Sequence, residues 1–267
     1  MNFPFYIARR YLFAKKSHNV INVISAISVA GIMLASFALI CTLSVFNGFH
    51  QLVESLFRDF DPEIKVVSAQ RKFFSLDDER IKKAQQLDFI DVSSFSLEEQ
   101  ALISYKSKQQ IAMIKGVDDS FHELTGIENL LRGNGIFMLE DNVCHYAIMG
   151  VGLMNRMDCG MKPAYPLHLY VPKKDGRVST VNPAASFNQA SIYSPGVVFC
   201  VEQEKYDDNY VLISLDLAQQ LTDRPNEASA LEITTVDGTS TRKAIRELQS
   251  LLGDDFEVLD RLHQQKD

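Results

Sequence analysis

The longest stretch of this sequence that lacks charge covers residues 17–53, which contain no Asp, Glu, Lys or Arg. Helices of water-soluble proteins rarely run this far without a charged side chain. The chain also lacks an excess of positive charge, because its 27 Lys and Arg residues are outnumbered by 34 Asp and Glu residues. Nucleic-acid binding depends on clustered positive charge. The composition therefore argues against both a simple soluble cytoplasmic enzyme and a nucleic-acid-binding protein.

Motifs of nucleotide and metal binding are missing as well. The sequence has no G-x-x-x-x-G-K-[ST] loop, so the chain does not bind ATP by that route. It has no H-E-x-x-H and no paired C-x-x-C. His122, His145 and His168 occur singly, which is typical of surface or packed histidines rather than of metal ligands. We therefore expect no catalytic residue, no metal site and no cofactor in this chain.

Cysteine is scarce, with four residues in the whole chain. Cys41 lies inside the uncharged stretch, and we expect it to be a small residue of a helix, because a lipid-attachment site needs a small residue just before the cysteine. Cys144, Cys159 and Cys200 lie outside that stretch, and three cysteines cannot all pair with one another. One disulfide and buried free thiols are both compatible with the sequence.

The uncharged stretch predicts a transmembrane helix. Its centre, Ile27–Phe46, would span about 30 Å as a helix, which is the thickness of the hydrocarbon layer. The span holds about thirty apolar or neutral residues, which favours an uncleaved anchor over a signal peptide. Four basic residues precede it and Glu54 follows it, so the N-terminus is predicted to be cytoplasmic and the residues after about 50 extracytoplasmic. The basic residues are Arg9, Arg10, Lys15 and Lys16.

Two patterns along this helix indicate contacts beyond anchoring. Five small residues at steps of three and four share one stripe, which lets another membrane helix approach closely. These predicted helix-packing residues are Ser28, Gly31, Ala35, Ala38 and Thr42. Apolar residues then repeat at helical spacing from Phe49 to Phe60, and Pro62 ends the pattern. We therefore expect one helix from about Ile21 to Phe60 that continues beyond the membrane as a stalk.

The remaining chain has the pattern of a mixed α/β domain. Two strand–helix–strand units form a weak internal repeat. The opening unit is predicted as a strand at 63–68, a helix at 76–87 and a strand at 89–95. The closing unit is predicted as a strand at 230–235, a helix at 241–252 and a strand at 256–259. Between them, a hairpin around residues 106–108 precedes helices predicted at 121–131 and 145–157, strands predicted at 167–171 and 192–201, and a loop predicted at 172–191. We expect an α+β fold: an N-terminal transmembrane and stalk helix, then a two-subdomain mixed α/β extracytoplasmic domain. The predicted parts are a cytoplasmic interfacial segment (1–20), a transmembrane helix (21–48), a stalk helix (49–61), a first α+β subdomain (62–118 and 216–262) and an inserted subdomain (119–215).

Three segments near the N-terminus carry a family resemblance. They are Tyr6–Leu12, the pattern I-S-x-I-S-V-x-G-I at Ile24–Ile32, and L-S-V-F-N-G-F at Leu43–Phe49. They resemble the start of lipoprotein-releasing ABC transporter permeases, the LolC/LolE group of the wider MacB/FtsX-like superfamily. The family commonly has Met at the position of Phe46. Segments farther along match more loosely, and the outer domain resembles the MacB-like periplasmic core.

The resemblance implies a non-catalytic permease subunit in the inner (plasma) membrane, with four membrane helices and an extracytoplasmic domain between the first two. ATP and Mg would be bound by a cytoplasmic ABC ATPase, whose hydrolysis moves the stalk helices and outer domain by mechanical transmission. The implied partners are this ATPase, a second permease subunit in a homo- or heterodimer, and lipoprotein or other lipid-bearing cargo. By this resemblance the chain would be the front part of such a permease.

The resemblance also implies that acyl chains of the cargo contact the first helix. The predicted apolar contact residues for substrate or a partner helix are Leu43, Phe46, Phe49, Val53 and Phe57. Acyl chains outside the bilayer need apolar surface to cover them. The alternative is that these side chains pack against other helices of the same permease.

Other functions stay open at this point. The nearest is a mechanotransmission permease of the efflux or cell-division type. A single-span extracytoplasmic sensor or binding protein would need a cytoplasmic output module, for which residues 1–16 are too few. A membrane-anchored extracytoplasmic enzyme would need a convergent polar site, which no motif indicates.

Overall fold

The computed structural model describes residues 3–12, 19–58, 60–141, 143–174, 186–261 and 263–264. The chain divides into two compact units, Met1–Glu54 and Ser55–Asp267. The helices are α1 (Phe3–Leu12), α2 (Asn19–Arg58), α3 (Glu79–Ala84), α4 (Phe121–Leu124), α5 (Ile127–Leu130), α6 (Val151–Met157), α7 (Glu204–Asp207), α8 (Leu215–Leu221) and α9 (Thr241–Leu252). The strands are β1 (Ile64–Ser68), β2 (Phe74–Ser75), β3 (Ile90–Tyr105), β4 (Lys108–Val117), β5 (Leu131–Gly133), β6 (Ile148–Met149), β7 (Leu167–Pro172), β8 (Phe187–Ile192), β9 (Val197–Phe199), β10 (Tyr210–Ser214), β11 (Glu227–Ala228), β12 (Ala230–Thr235) and β13 (Phe256–Asp260).

Helix α2 is a single element of 40 residues, about 60 Å long. Its segment Val23–Phe49 is long and apolar enough to cross a membrane. The predicted continuous helix is confirmed, but it ends at Arg58 instead of reaching Phe60. Phe60 lies in a turn and is 1% exposed, so it belongs to the core of the outer domain and not to the stalk.

The outer domain is built on a nine-stranded sheet in the order β13-β1-β12-β3-β4-β10-β6, with β7 against β3 and β8 against β7. All pairs are antiparallel except β4 with β10. The units β1-α3-β3 and β12-α9-β13 interleave in the first four strands, the split arrangement of a ferredoxin-like motif. This interleaving accounts for the internal repeat in the sequence.

The two faces of this sheet differ in character because side chains alternate along a strand. Ile64 and Val66 of β1 pack against α3 and α9 in an apolar core with Ile81, Ala244 and Leu248. The opposite face carries one residue of a charge network on each of four strands. These residues are Lys65, Glu98, Lys115 and Glu232. A second apolar cluster around Phe60, Phe121, Phe199, Tyr206 and Leu212 lies on that charged side.

Several predicted elements have different bounds. The helix predicted at 145–157 is wrong in its first half: residues 148–149 form β6, and Gly150 adopts an extended conformation before α6. A Cβ at Gly150 would clash with the backbone oxygen of Asp207, so only glycine permits this turn. The predicted helix at 121–131 is two short helices broken at residues 125–126.

The strand predicted at 192–201 is also wrong, because Ser194–Gly196 separates β8 from β9 and the two strands belong to different sheets. Within the predicted loop at 172–191, residues 187–191 belong to β8, and residues 175–185 lie outside the described part. The helix predicted in the opening unit is shorter, because Asp78 caps it by accepting the Arg80 N–H. The proposed two-subdomain boundaries remain a prediction.

Candidate functional site: an exposed apolar helix and a charged cleft

The residues predicted to contact cargo or a partner helix lie on α2. Leu43, Phe46 and Phe49 are 52%, 64% and 63% exposed in this chain. Val53 and Phe57 belong to the same helix, but their side chains lie outside the described part. The helix therefore presents large apolar side chains that a lipid or another protein can cover.

The small residues predicted to pack against another helix are also exposed on α2. Ser28 donates to the backbone oxygen of Ile24 at 3.0 Å, and Thr42 donates to that of Ala38 at 2.8 Å. Both hydroxyls are thus satisfied inside the helix, which suits them to an apolar environment. A Cβ added at Gly31 would have no neighbour within 4 Å. Contact with a partner helix stays a prediction.

The two predicted sets lie on one side of α2. At 100° per residue, both fall within an arc of about 140° on the helix circumference. Phe37 is nine residues before Phe46 and therefore lies about 180° away. Its exposed fraction equals that of Phe46, 64%, which makes the two phenylalanines a matched pair for experiments.

A second candidate site is a cleft of about 600 Å³ in the outer domain, here called the charged cleft. Its walls come from the residues that follow α2, from β1, β3, β4 and β13, and from the segment around α7. The lining residues are Phe60, Asp61, Pro62, Lys65, Val67, Glu98, Gln100, Ile111, Ala112, Met113, Lys115, Lys205, Tyr206, Asn209, Tyr210, Leu259 and Gln264.

A network of charges lies in and beneath the charged cleft, with Lys115 and Glu232 buried and Lys65 and Glu98 half-buried. Lys115 Nζ lies 2.8 Å from Glu232 Oε1 and 4.0 Å from Glu98 Oε1. Lys65 Nζ lies 3.0 Å from the same Glu98 oxygen. Tyr210 donates its hydroxyl to Glu98 Oε2 at 3.3 Å. Buried ions need such partners, because an unpaired charge away from water is very costly.

These contacts shift the acid–base properties of the network. Burial opposes ionisation of Glu98, but the charges of Lys65 and Lys115 outweigh it and lower the pKa of Glu98 to about 2. Burial would lower the pKa of Lys65, yet Glu98 and Glu232 leave that pKa above its ordinary value. Burial and the Glu98 charge raise the pKa of Tyr210. The carboxylate and the Lys65 ammonium therefore stay charged at neutral pH, while the phenol keeps its proton.

Phe60 and Asp61 link the end of α2 to this network. The Phe60 ring lies 4.5 Å from the Tyr206 ring, and Lys115 Nζ lies 5.3 Å from the centre of the Phe60 ring. The Tyr206 hydroxyl donates to Asp61 Oδ1 at 2.7 Å. Arg261 donates to the Asp61 backbone oxygen at 3.2 Å.

Sequence reasoning missed the charged cleft. The available signal was a single charge inside an apolar strand, as at Lys115 and Glu232, because such positions face the core in an alternating strand. That signal shows that a partner is needed but does not name it.

The cysteines and histidines form no site among the described residues. All four cysteines are free thiols, and burial raises the pKa of Cys159. His168 contacts Ser191 Oγ, and His145 lies 3.9 Å from Glu140. No group of three His, Cys, Asp or Glu residues within the described ranges could hold a metal ion.

Comparison with known proteins identifies the family. Residues 25–251 match the family described as the MacB-like periplasmic core domain. The lipoprotein-releasing system transmembrane protein LolE of Haemophilus influenzae is 24% identical over 251 residues, covering 91% of this chain and 57% of that protein. The crystal structure of the periplasmic region of MacB from Actinobacillus actinomycetemcomitans has a TM-score of 0.53 and 10% identity, covering 81% of this chain and 96% of that one.

These comparisons confirm the resemblance seen in the N-terminal motifs and the α+β fold. The chain spans little more than half the length of the curated relative it matches. The likeness to the MacB periplasmic region concerns the fold alone. Because the family match covers residues 25–251, which is most of the chain, this chain belongs to the MacB-like periplasmic core domain family.

Proposed function

We propose that this chain is part of a permease subunit of an ABC transporter, non-catalytic itself and driven by ATP hydrolysis in a cytoplasmic partner. The observation that carries the proposal is the family match over residues 25–251, which includes both the apolar helix and the outer domain. The uninterrupted helix Asn19–Arg58 supports it, because a rigid helix can carry a displacement across a membrane.

The connection from α2 to the outer domain suits mechanical transmission. Phe60 follows the end of the helix by two residues and is buried against Phe199 and Tyr206. Asp61 is held by Tyr206 through its side chain and by Arg261 through its backbone. A displacement that reaches Phe60 would therefore be passed to the outer domain, in which Phe60 and Asp61 are held by these contacts.

The finer proposal is lipoprotein release from the inner membrane, and it rests on the 24% identity to LolE. The exposed Leu43, Phe46 and Phe49 would contact the acyl chains of the cargo. The N-terminus would be cytoplasmic and the outer domain extracytoplasmic, as the charge distribution predicts. The partners would be an ABC ATPase, a second permease subunit and a lipid-bearing protein.

Photo-crosslinking tests both levels of the proposal. Benzoylphenylalanine is placed at Phe46 or at Phe37 in the complete permease, and the complex is purified from native membranes. Co-elution of an ATPase supports the transporter, and a crosslink from position 46 but not 37 to a lipid-modified protein supports lipoprotein release. A complex without an ATPase would contradict the transporter. A crosslink only to another permease helix would favour the efflux or cell-division type.

A further inference from the structure

The charged cleft has the features of a ligand site that the transport proposal does not use. Its volume of about 600 Å³ lies within the range of small-molecule pockets. It combines apolar walls with charged and polar side chains that can fix the orientation of a ligand. The distribution of free hydrogen-bonding groups inside it indicates what kind of ligand it would take.

The acids of the cleft are already engaged or enclosed. Glu98 accepts hydrogen bonds from Lys65 and Tyr210, one on each oxygen. Asp61 is 7% exposed; its Oδ1 accepts the Tyr206 hydroxyl, and its Oδ2 is buried and has no hydrogen-bond partner among the described residues. A ligand entering the cleft would therefore meet carboxylate oxygens that are either paired with donors of the cleft or shielded from solvent.

The lysines nearer the mouth keep unused donors. An ammonium has three N–H groups, and among the described residues Lys65 uses one of them, toward Glu98 at 3.0 Å. Lys205 is exposed, and within the described part its ammonium group lies over the Tyr206 ring, with Nζ 5.3 Å from the ring centre. Lys115 lies deeper and is committed to Glu232. The mouth of the cleft thus offers donors to an anion.

The walls beside these lysines are apolar. Ile111 of β4 is 68% exposed, and Met113 lies two positions farther along the same face. Val67 and Leu259 line the cleft from β1 and β13. Covering this surface with an aliphatic group would remove apolar area from water, which is favourable.

We propose that the charged cleft binds an amphiphilic anion. Its carboxylate or phosphate accepts hydrogen bonds from Lys65 and Lys205, and its aliphatic tail lies against Ile111 and Met113. A fatty acid and an anionic membrane lipid both carry this chemistry.

The test uses the full chain in phosphatidylcholine nanodiscs with ¹³C-methyl methionine. The Met113 resonance, assigned with Met113→Leu, reports on the cleft and not on partitioning into the bilayer. Hexanoate, hexylamine and hexanol share a tail and differ in head group. We expect hexanoate to shift the Met113 resonance with a Kd at least about tenfold below that of hexylamine, because only the anion accepts the lysine hydrogen bonds.

Substitutions at two exposed residues of the cleft test where the ligand binds. Lys205→Gln should raise the hexanoate Kd about tenfold, whereas Lys243→Gln, also exposed but outside the cleft lining, should leave it unchanged. Ile111→Ser should weaken hexanoate and hexanol alike, and Ile136→Ser, with the same 68% exposure, should not. Equal binding of hexylamine and hexanoate, or equal Kd values for the two lysine variants, would overturn the proposal.

The source of the anion is tested with the lipid composition. If a bilayer lipid supplies it, nanodiscs with phosphatidylglycerol will shift the Met113 resonance before hexanoate is added and will block further shifts. If a free anion is the ligand, the hexanoate titration will be the same in both kinds of nanodisc. Either result supports the anionic site, whereas an unresponsive Met113 resonance under all conditions would refute it.

Discussion

Lys115 is a charged side chain in the interior of the outer domain, where it is 2% exposed. Its ammonium is 2.8 Å from Glu232 Oε1, and it lies 5.3 Å and 5.0 Å from the centres of the Phe60 and Phe121 rings. Glu232 is completely buried and also accepts the Ser96 hydroxyl at 2.6 Å. Removing the lysine would leave a buried carboxylate without its counter-charge.

Lys115→Met should therefore lower the free energy of unfolding by about 3–5 kcal/mol. Lys108→Met is the control, because its pair with Asp158 is exposed and such pairs contribute about 0–1 kcal/mol. Thermal and chemical unfolding followed by circular dichroism would measure both. A second substitution, Glu232→Leu, should recover part of the loss, since it removes the unpaired charge. Equal stabilities of the two lysine variants would contradict this account of the network.

The ionisation of Glu98 makes the free energy of unfolding depend on pH. Its pKa is about 2 in the folded chain against an ordinary value of 4.5, so the unfolded chain binds the proton more readily. The stabilisation is present above pH 4.5 and is lost as the pH falls toward 2, a change of about 3 kcal/mol for this group. Melting temperatures at a series of pH values should show this decline. Glu98→Gln should be less stable at neutral pH and show a flatter slope between pH 5 and 2.

At the scale of elements, periodic segments were predictable from the sequence. Helix α9 has its predicted bounds, because Ala244, Leu248 and Leu252 repeat every four residues and are buried. Strand β12 also has its predicted bounds. The segment 145–157 was misread, because a short apolar run fits a strand and a helix equally well and only tertiary contacts decide between them.

The two candidate sites also differ in how far the sequence alone could predict them. The exposed residues of α2 lie along one helix, so periodicity predicts which of them share a side, and their contact role is a prediction from the family resemblance. The charged cleft joins residues far apart in the chain: Glu98 and Tyr210, for instance, are 112 positions apart. Strand order brings them together, because β4 lies between β3 and β10. A single sequence carries no signal for that order.

The stripe of small residues on α2, which includes Gly31 and Ala35, predicts an effect on assembly. Leucine at both Gly31 and Ala35 should reduce co-purification of the ATPase and second permease subunit, because larger side chains prevent close helix contact. The helix itself should persist, since nothing lies within 4 Å of a Cβ at Gly31. The control is the double variant Ala26→Leu and Ala30→Leu. Its two positions are also four residues apart, but they lie about 140° around the helix from Gly31 and Ala35. Equal co-purification of both double variants would argue against the packed stripe.

At the scale of the whole molecule, charge is distributed unevenly along the chain. Residues 1–16 carry four basic and no acidic side chains, whereas residues 54–267 carry 23 basic and 34 acidic ones. Cytoplasmic flanks of membrane helices are enriched in Lys and Arg, so the short basic segment should stay in the cytoplasm. The acidic outer domain should then lie on the other side of the membrane.

Single cysteines test this orientation. Phe3→Cys and Ile136→Cys place thiols at positions 73% and 68% exposed, one before α2 and one in the outer domain. A membrane-impermeant maleimide applied to spheroplasts should label position 136 and should reach position 3 only after the membrane is opened. The parent chain, with its four native cysteines, gives the background in both conditions. Labelling of position 3 in intact spheroplasts with protection of position 136 would reverse the topology and remove the basis for a lipid-releasing permease.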